Sequence, residues 1–297
     1  MRALITGSSG FVGSHLVEHL QASGDETLGL SSDAWDLGVD LGPETRGRIE
    51  AFTPDVIYHL AALSIPRDCG DTEPTAKALA VNVDGTRRVL ELAASLTTRP
   101  RVMFTSSSRV YAPVDAANPI VTELYPLAPR TAYGKTKQAA EELCRAAVRR
   151  DGLDVVIVRS FTQSGPRMDF RLMLAEWAAQ LVRGGDGSID VASLDVTIDF
   201  LDVRDAVRAL RMLAHCGERG ETYNIGSGIA QTTGDVFRRL CEQAGATREA
   251  RQMNPGRRSD PIADIAKLVA ATDWRPQIDA ARTCADVLAD LRVRIGR

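Results

Sequence analysis

A five-residue apolar strand, Arg2-Ala-Leu-Ile-Thr6, runs directly into Gly7-Ser8-Ser9-Gly10-Phe11-Val12-Gly13, and a helical pattern continues from about Phe11 to Gln21. Three glycines at three-residue spacing between a strand and a helix restrict what such a chain can become. Glycine lets the backbone turn sharply and lets another group approach it closely. The helix start behind it offers free amide donors and the positive end of the helix dipole. Gly24 suits the stop of that helix, and Glu26–Leu30 reads as a second strand. Asp55–Leu60, Arg101–Thr105 and Asp154–Val158 are further apolar runs. They are nearly continuous rather than alternating, the pattern of a parallel sheet covered on both faces. Helices are expected between them near 44–52, 75–95 and 132–150. This alternation implies right-handed crossovers and an α/β fold with a doubly wound, parallel, Rossmann-type sheet.

From about Gly165 the rhythm loosens. A helix near 170–182 leads to a glycine-rich surface turn at 184–187. Residues 199–205 then enter a helix ending near His215, and Thr222–Ile225 reads as a short strand. The expected division is a dinucleotide-binding domain over 1–165, with 196–226 returning to it. A smaller C-terminal α/β substrate-binding lobe takes 166–195 and 227–297. The stretch 112–130 holds Pro113, Pro119, Pro126 and Pro129. A loop of that length in a compact domain is usually functional, which places it at the border of an active site.

Composition removes several classes. The formal charge is −3 and both signs are mixed along the chain, so no basic stripe points to nucleic acid and no polybasic tail to a membrane. No apolar run approaches the roughly 18–20 residues of a membrane span. The first strand starts at Arg2, where a signal peptide would lie. Five scattered cysteines without CxxC spacing read as reduced thiols of a cytoplasmic protein. The four histidines do not cluster, and no metal site is expected.

The glycine turn reads as a pyrophosphate cradle of a dinucleotide. Which dinucleotide is decided at the end of the second strand, where an acid holds a ribose hydroxyl and an arginine accepts a 2′-phosphate. Here Leu28-Gly29-Leu30 leads to Ser31-Ser32-Asp33. Serine tolerates either group, so NAD and NADP both stay open. Asp40 and Leu41 lie within reach of the adenine on spacing alone, where a solvated loop aspartate is the plainer alternative.

Tyr133 and Lys137 stand four apart, on one face of the expected helix. A cation beside a phenol favours phenolate, lowers its pKa and suits it to general acid–base work. Thr105-Ser106-Ser107-Ser108 closes a strand of the sheet, and ligands of such sheets bind beyond the strands' carboxyl ends. A serine there can hydrogen-bond a substrate oxygen beside the tyrosine, although a polar strand end capping a turn explains much of the same pattern.

With these features in place the chain resembles the extended short-chain dehydrogenase/reductase family, in its nucleotide-sugar branch. The resemblance covers nearly the whole sequence. It is carried by Thr6–Gly13, His59-Leu60-Ala61-Ala62, Asn82–Thr86, Ser106–Tyr111, Tyr133–Lys137, Arg159–Pro166, Asp199–Asp205, Tyr223–Gly228 and Trp274-Arg275-Pro276. Within that branch it is similar to the GDP-4-keto-6-deoxy-mannose reductases. The resemblance implies Tyr133 as acid or base, Lys137 as a ribose ligand that tunes it, and Ser107 as hydrogen-bond donor to substrate. Ser107 is chosen because it precedes Tyr111 by four. Gly7, Ser9, Gly10, Phe11, Val12, Ser31, Asp40, Leu41, Leu60, Ala61 and Ala62, with Tyr133 and Lys137, are implied to hold the cofactor. Ser64, Ser108, Arg109, Thr162 and Arg257 are implied to face the substrate. A homodimer through the helices near 82–96 and 133–150 is implied too. Ala139, Ala140, Leu143, Ala146 and Ala147 offer a small-residue face for it, and that face suits packing on the protein's own sheet equally well.

The chain also departs from the family. Its dehydratases carry acids at the positions of Ser108 and Arg109, so dehydration is disfavoured. A family asparagine is replaced by Thr162 and a family phosphate-binding arginine by Ile198. The resulting expectation is an NAD(P)H-dependent 4-ketoreductase of a nucleotide-activated deoxysugar. A nucleotide-sugar 4-epimerase that retains NAD is the alternative, and a non-catalytic dinucleotide sensor a third reading.

Overall fold

The computed structural model describes residues 1–185 and 187–296. The turn expected at 184–187 includes Asp186, which lies outside the described residues. Six parallel strands are arranged as β10-β6-β4-β3-β1-β2. They are β1 (Arg2–Thr6), β2 (Glu26–Leu30), β3 (Val56–His59), β4 (Arg101–Ser107), β6 (Val155–Ser160) and β10 (Thr222–Ile225), while the two-residue β5 (Ile120–Val121) lies outside this sheet. Successive side chains divide between two cores, as the period of a strand requires. Ala3 and Ile5 of β1 face a cluster built with Leu16 and Leu20 of α1 (Phe11–Ala22) and Leu210 of α8 (Val203–Cys216). Leu4 faces the opposite cluster. It contains Ile49 of α2 (Pro43–Phe52), Val89 of α5 (Gly85–Ser95) and Ala140 and Cys144 of α6 (Ala132–Asp151). Burial on both faces is why these strands read as continuous apolar runs.

The helix expected over 75–95 is broken. A short α4 (Ala76–Leu79) passes into a π-turn at Ala80–Asp84 before α5 begins. Buried Asn82 occupies this turn. Its Oδ1 accepts from the Leu63 amide at 2.8 Å, and its Nδ2 donates to Leu63 O and Thr136 Oγ1, both at 3.0 Å. The turn thereby ties the segment after β3 to α6. Such single π-turns gather at functional sites.

The smaller lobe has its own core. The strands β7 (Thr162–Ser164), β9 (Val196–Asp202), β11 (Ala230–Thr232) and β13 (Arg258–Ser259) form a small sheet, with β8 (Ile189–Val191) paired to β12 (Ala250–Gln252) nearby. Three amphipathic helices pack on it: α7 (Met173–Arg183), α9 (Thr233–Ala244) and α11 (Ala280–Ile295). The remaining helices are α3 (Pro66–Cys69) and α10 (Ala266–Thr272). Trp177 and Phe237 meet edge to face at 5.7 Å in this core. The return to the dinucleotide-binding unit, expected over 196–226, starts later. Strand β9 belongs to the small sheet, and only α8 and β10 rejoin the large one. Asp202 marks the junction: it caps α8 through the Arg204 amide at 2.8 Å and accepts from Thr283 of α11 at 2.7 Å.

The proline-rich stretch 112–130 is pinned rather than free. Strand β5 pairs with β14 (Ile262–Ala263), and Tyr111 bridges to Leu127. Among the described residues no helix is long and apolar enough to cross a membrane.

Candidate active site

All six strands of the large sheet open at one edge, and a cavity of about 580 Å³ lies along it. Its first wall is the glycine turn. Gly7 has φ +74°, and its amide donates to Leu30 O at 2.9 Å. A Cβ at Gly7 would stand 2.8 Å from the Ala61 amide, and one at Gly13 would stand 2.0 Å from Gly7 O. Only glycine lets β1, the helix start and the segment after β3 approach so closely. That cradle, open at the start of α1, fits a dinucleotide pyrophosphate.

Behind the turn a buried chain of hydrogen bonds fixes β1 against β3 and α5. Thr86 Oγ1 donates to Asn82 O at 2.8 Å, so its contact with His59 Nε2 at 3.0 Å uses the histidine proton. His59 Nδ1 then accepts from Thr6 Oγ1 at 2.9 Å. Burial pushes the His59 pKa down to about 3, so the ring is a neutral strut.

Ser107, Tyr133 and Lys137 line the same cavity. Helix α6 is capped by Thr131, whose Oγ1 accepts from the Gly134 amide at 3.1 Å. A Cβ at Gly134 would stand 2.3 Å from Arg109 O, so glycine lets this first turn seat against the end of β4. The Tyr133 hydroxyl is pushed up to about 12 by desolvation, against which a hydrogen bond from Ser107 and the Arg109 charge act weakly. This corrects the expectation that Lys137 lowers the phenol pKa. The Lys137 ammonium lies 5.9 Å from the centre of the Tyr133 ring and 5.1 Å from that of Phe104, and it donates to Thr105 O at 2.7 Å. Burial, with only 3% of Lys137 exposed, lowers its own pKa to about 8.

The fold gathers most of the residues read from the sequence. Gly7, Gly10, Phe11, Val12, Leu60, Ala61, Ala62, Ser64 and Thr162 line the cavity with the three catalytic candidates. Ser9 is exposed at the tip of the turn, and Ser31 closes β2 by accepting from the amides of Ala34 and Trp35. Asp40 is not brought in: exposed, it pairs with Arg88 of α5 at 2.7 Å. Leu41 packs into the core beside α5, where an apolar side chain is better placed than at a polar mouth. Two features had escaped the sequence reading. Ser8 packs over β2, its Oγ 2.7 Å from where a Cβ of Gly29 would be. A glycine inside a strand was the signal for that close approach. Across the cavity mouth, Arg171 reaches Asp68 at 3.3 Å and Asp169 at 2.8 Å. No local motif announces that bridge.

A second cavity, of about 330 Å³, shares Thr162 with the first and extends into the lobe past Trp177, Ile198 and Asn254. Its cations are Arg109 and Arg258. Arg258, rather than Arg257, is the loop arginine that lines it. Residues Arg258 and Ser259 pair in register with Val196 and Thr197 of β9, which sets Arg258 along the cavity, while Arg257 does not line it. Arg109 forks onto Asp260 with two 3.0 Å bonds. With Ser108 it also borders a third cavity of about 410 Å³ beside the loop 112–116.

A glycine cradle at the carboxyl edge of a parallel sheet, with serine, tyrosine and lysine in the same cleft, defines an oxidoreductase that uses a nicotinamide dinucleotide, NAD or NADP. The chain belongs to the NAD dependent epimerase/dehydratase family, whose profile matches residues 3–226, within the extended short-chain dehydrogenases/reductases. It is 32% identical to the GDP-6-deoxy-D-mannose reductase of Pseudomonas aeruginosa, over 99% of this chain and 98% of that one. The structure of RMD from Pseudomonas aeruginosa complexed with NADPH superposes with a TM-score of 0.86 at 30% identity, covering 99% of this chain and all of the other. The Thermus thermophilus UDP-glucose 4-epimerase in complex with NAD gives a TM-score of 0.85 at 26% identity, covering 98% and 99%.

The depressed Lys137 pKa has a thermodynamic consequence. The folded protein releases this proton near pH 8 and the unfolded chain near 10.5. The unfolded state therefore binds more protons between those values, and stability rises with pH across that window. Below it the buried ammonium costs free energy. Lys137→Met is expected to raise the unfolding free energy at pH 7 by on the order of 1–3 kcal/mol, with the gain gone above about pH 10.5. Denaturant unfolding at both pH values tests this, and an equal loss of stability at both would refute it.

Proposed function

We propose that the enzyme reduces the 4-keto group of a nucleotide-activated deoxysugar, as the name of its Pseudomonas aeruginosa relative says of that protein. The observation that carries this reading is that Ser107, Tyr133 and Lys137 share one cleft with the glycine turn, in a chain similar over nearly its whole length to that reductase. Burial raises the Tyr133 pKa, so the hydroxyl holds its proton at neutral pH. A protonated phenol can give a proton to an alkoxide forming at a carbonyl carbon. The bound dinucleotide supplies the hydride. Ser107 orients the carbonyl oxygen, Tyr133 protonates it, and Lys137, a fixed cation behind the ring, holds the ribose side of the cofactor and stabilises the phenolate left behind. The diphosphate of the substrate runs past Thr162 towards Arg258 and Arg109, since guanidinium groups suit bidentate phosphate contacts. The 4-epimerase reading keeps the same three residues and draws support from the likeness to the Thermus thermophilus epimerase.

Loss of reduced-nicotinamide absorbance with NADH or NADPH and a panel of nucleotide-linked 4-keto-6-deoxy sugars tests the reading. Stoichiometric, substrate-dependent consumption is expected. Cofactor binding without net consumption, alongside interconversion of 4-hydroxy sugars, would replace it by the epimerase. In the same assay Tyr133→Phe is expected to lower kcat by at least about 100-fold, with dinucleotide affinity nearly unchanged. Near-native turnover would remove Tyr133 from its role. Arg258→Ala is expected to raise KM by roughly tenfold, the worth of one charge-assisted contact, while Arg257→Ala stays within about twofold. The reverse ranking would restore Arg257 as the phosphate ligand.

Pairing of two chains through α5 and α6 belongs to the same proposal. Ala140 is spent on the protein's own core, whereas Ala147 and Leu143, at the edge of that core, border a surface groove between the two helices with Ala146, Arg87 and Glu91. Sedimentation equilibrium should give twice the chain mass, and a single-chain mass at micromolar concentration would exclude the dimer.

A further inference from the structure

The chemistry of the cleft needs Ser107, at the end of β4, to meet Tyr133 and Lys137 on α6. Helix and strands touch mainly through apolar side chains, which resist neither sliding nor rotation in a directional way. Beside the Lys137 bond to Thr105 O, the directional contacts come from Glu141. It follows Lys137 by four residues and Tyr133 by eight, so the three lie along one face of α6. It is completely buried, and its carboxylate reaches both neighbouring strands. Oε1 accepts from Ser106 Oγ at 2.5 Å and from Arg159 Nε at 2.9 Å. Oε2 accepts from Arg159 Nη2 and from Arg145 Nη2, each at 2.8 Å.

Ser106 and Arg159 are register partners between β4 and β6. Each is the immediate neighbour of a cavity residue, Ser107 in one strand and Ser160 in the other. Arg159 is 1% exposed and is itself held: Nη1 donates to Glu123 O at 2.9 Å, and the guanidinium lies 4.8 Å from the centre of the Tyr111 ring. A single carboxylate therefore fixes α6 against the ends of both strands that frame the reacting groups.

The same carboxylate acts on Lys137. That ammonium touches Thr105 O and lies against the Phe104 and Tyr133 rings; the titratable groups whose charge bears on it are His59 of β3, Cys69 of α3, and Cys144 and Glu141 of α6, the last held by Arg145 and Arg159. His59 is neutral, and burial pushes the thiols of Cys69 and Cys144 up, so both stay uncharged. Desolvation opposes ionisation of Glu141, but the Arg159 bonds and charge outweigh it and keep the carboxylate ionised. Glu141, one helical turn along α6, is then the ionised carboxylate whose field reaches Lys137, tempered by Arg159 and Arg145.

We propose that Glu141 is a positioning residue: it locks α6 to the ends of β4 and β6 so that Tyr133 meets Ser107, and it holds a carboxylate one helical turn from buried Lys137. This rests on Tyr133 and Lys137 being the working groups of the proposed reaction, so one of the two tests below uses no substrate.

The chain contains four lysines, Lys77, Lys135, Lys137 and Lys267. Lysine labelled with ¹³C at Cε therefore gives four titrating signals, and Lys137→Met identifies the one that matters. In the full-length protein the Lys137 midpoint should lie below the other three. It should fall further in Glu141→Gln and return towards the native value in Glu141→Asp. In the reductase assay Glu141→Gln should lower kcat by roughly tenfold to a hundredfold, the cost of a misplaced reacting group. KM should change little, and the alkaline limb of the pH profile should move to lower pH.

Glu141→Gln leaves Arg159 buried without its partner, which can cost the fold. The double variant Glu141→Gln/Arg159→Met removes both charges at similar volume, and Glu141→Asp keeps the charge. These two carry both readouts if the single variant does not fold. The double variant should melt near the native temperature and yet keep the lowered kcat and the shifted limb. A native kcat and pH profile in that variant, or a Lys137 midpoint that ignores the loss of Glu141, would overturn the proposal and leave the pair a stabilising role only. If no substrate supports turnover in the native protein, the functional reading fails, and the Lys137 titration still decides the role of Glu141.

Discussion

The parallel register of the large sheet is the constraint on which everything else depends. Because β1, β3, β4 and β6 all run the same way, the residues that follow or end them arrive at one edge: Gly7, Ala61, Ser107 and Ser160. Their separation along the chain exceeds 150 residues, yet no loop has to carry them together. The cost is that parallel strands need long crossovers and burial on both faces. The two cores around α1 and α8, and around α5 and α6, meet that demand. The position of α6 is tied to the same constraint, since it is at once a crossover helix packed on the sheet and the carrier of Tyr133 and Lys137.

Burial sets the ionisation of the cleft. It disfavours charge on both Tyr133 and Lys137, raising one pKa and lowering the other. The two shifts oppose each other in consequence. A raised phenol holds the proton that the proposed reduction would use. A lowered ammonium loses its charge more easily, and with it the field that would stabilise a phenolate. The site therefore works best if something restores the lysine charge without adding water. Glu141, in the role proposed for it, would do so in moderation, because the field of its ionised carboxylate on Lys137 is tempered by Arg159 and Arg145.

What could be read from the sequence was local. The glycine turn, the apolar strands and the Tyr133/Lys137 pair are each encoded within a few neighbouring residues, and the backbone has little choice in how to use them. What could not be read depends on partners far along the chain. Arg258 rather than Arg257 lines the lobe cavity because of a two-residue pairing with β9, some sixty positions earlier. Asp40 is drawn to Arg88, which no spacing rule connects to it. The segment 196–202, expected with the dinucleotide-binding domain, is held in the small sheet by its pairing with β7, β11 and β13. The phenol pKa was misjudged for a similar reason. Spacing places a cation near Tyr133, but desolvation is a property of the whole fold, and here it is the larger effect.

The uneven use of basic residues sharpens the picture. Against four lysines the chain carries thirty-two arginines, and many of these form forks onto carboxylates, as Arg109 does with Asp260, Arg204 with Asp202 and Arg251 with Asp190. A guanidinium cannot release its proton in the working pH range and spreads its charge over a plane. It serves as structural mortar and as a phosphate ligand, where permanence is an advantage. At the bottom of the cleft the requirement differs, because there the basic group is nearly sealed from water beside the proton donor of the proposed reaction. An arginine would impose a fixed charge and a planar fork on a space bounded by the Phe104 and Tyr133 rings. Lysine offers a compact point charge whose single strong contact, to Thr105 O, leaves its other donors free to face the cavity. At this one position a lysine stands where a compact charge fits, in a chain that uses arginine for nearly all its other basic residues.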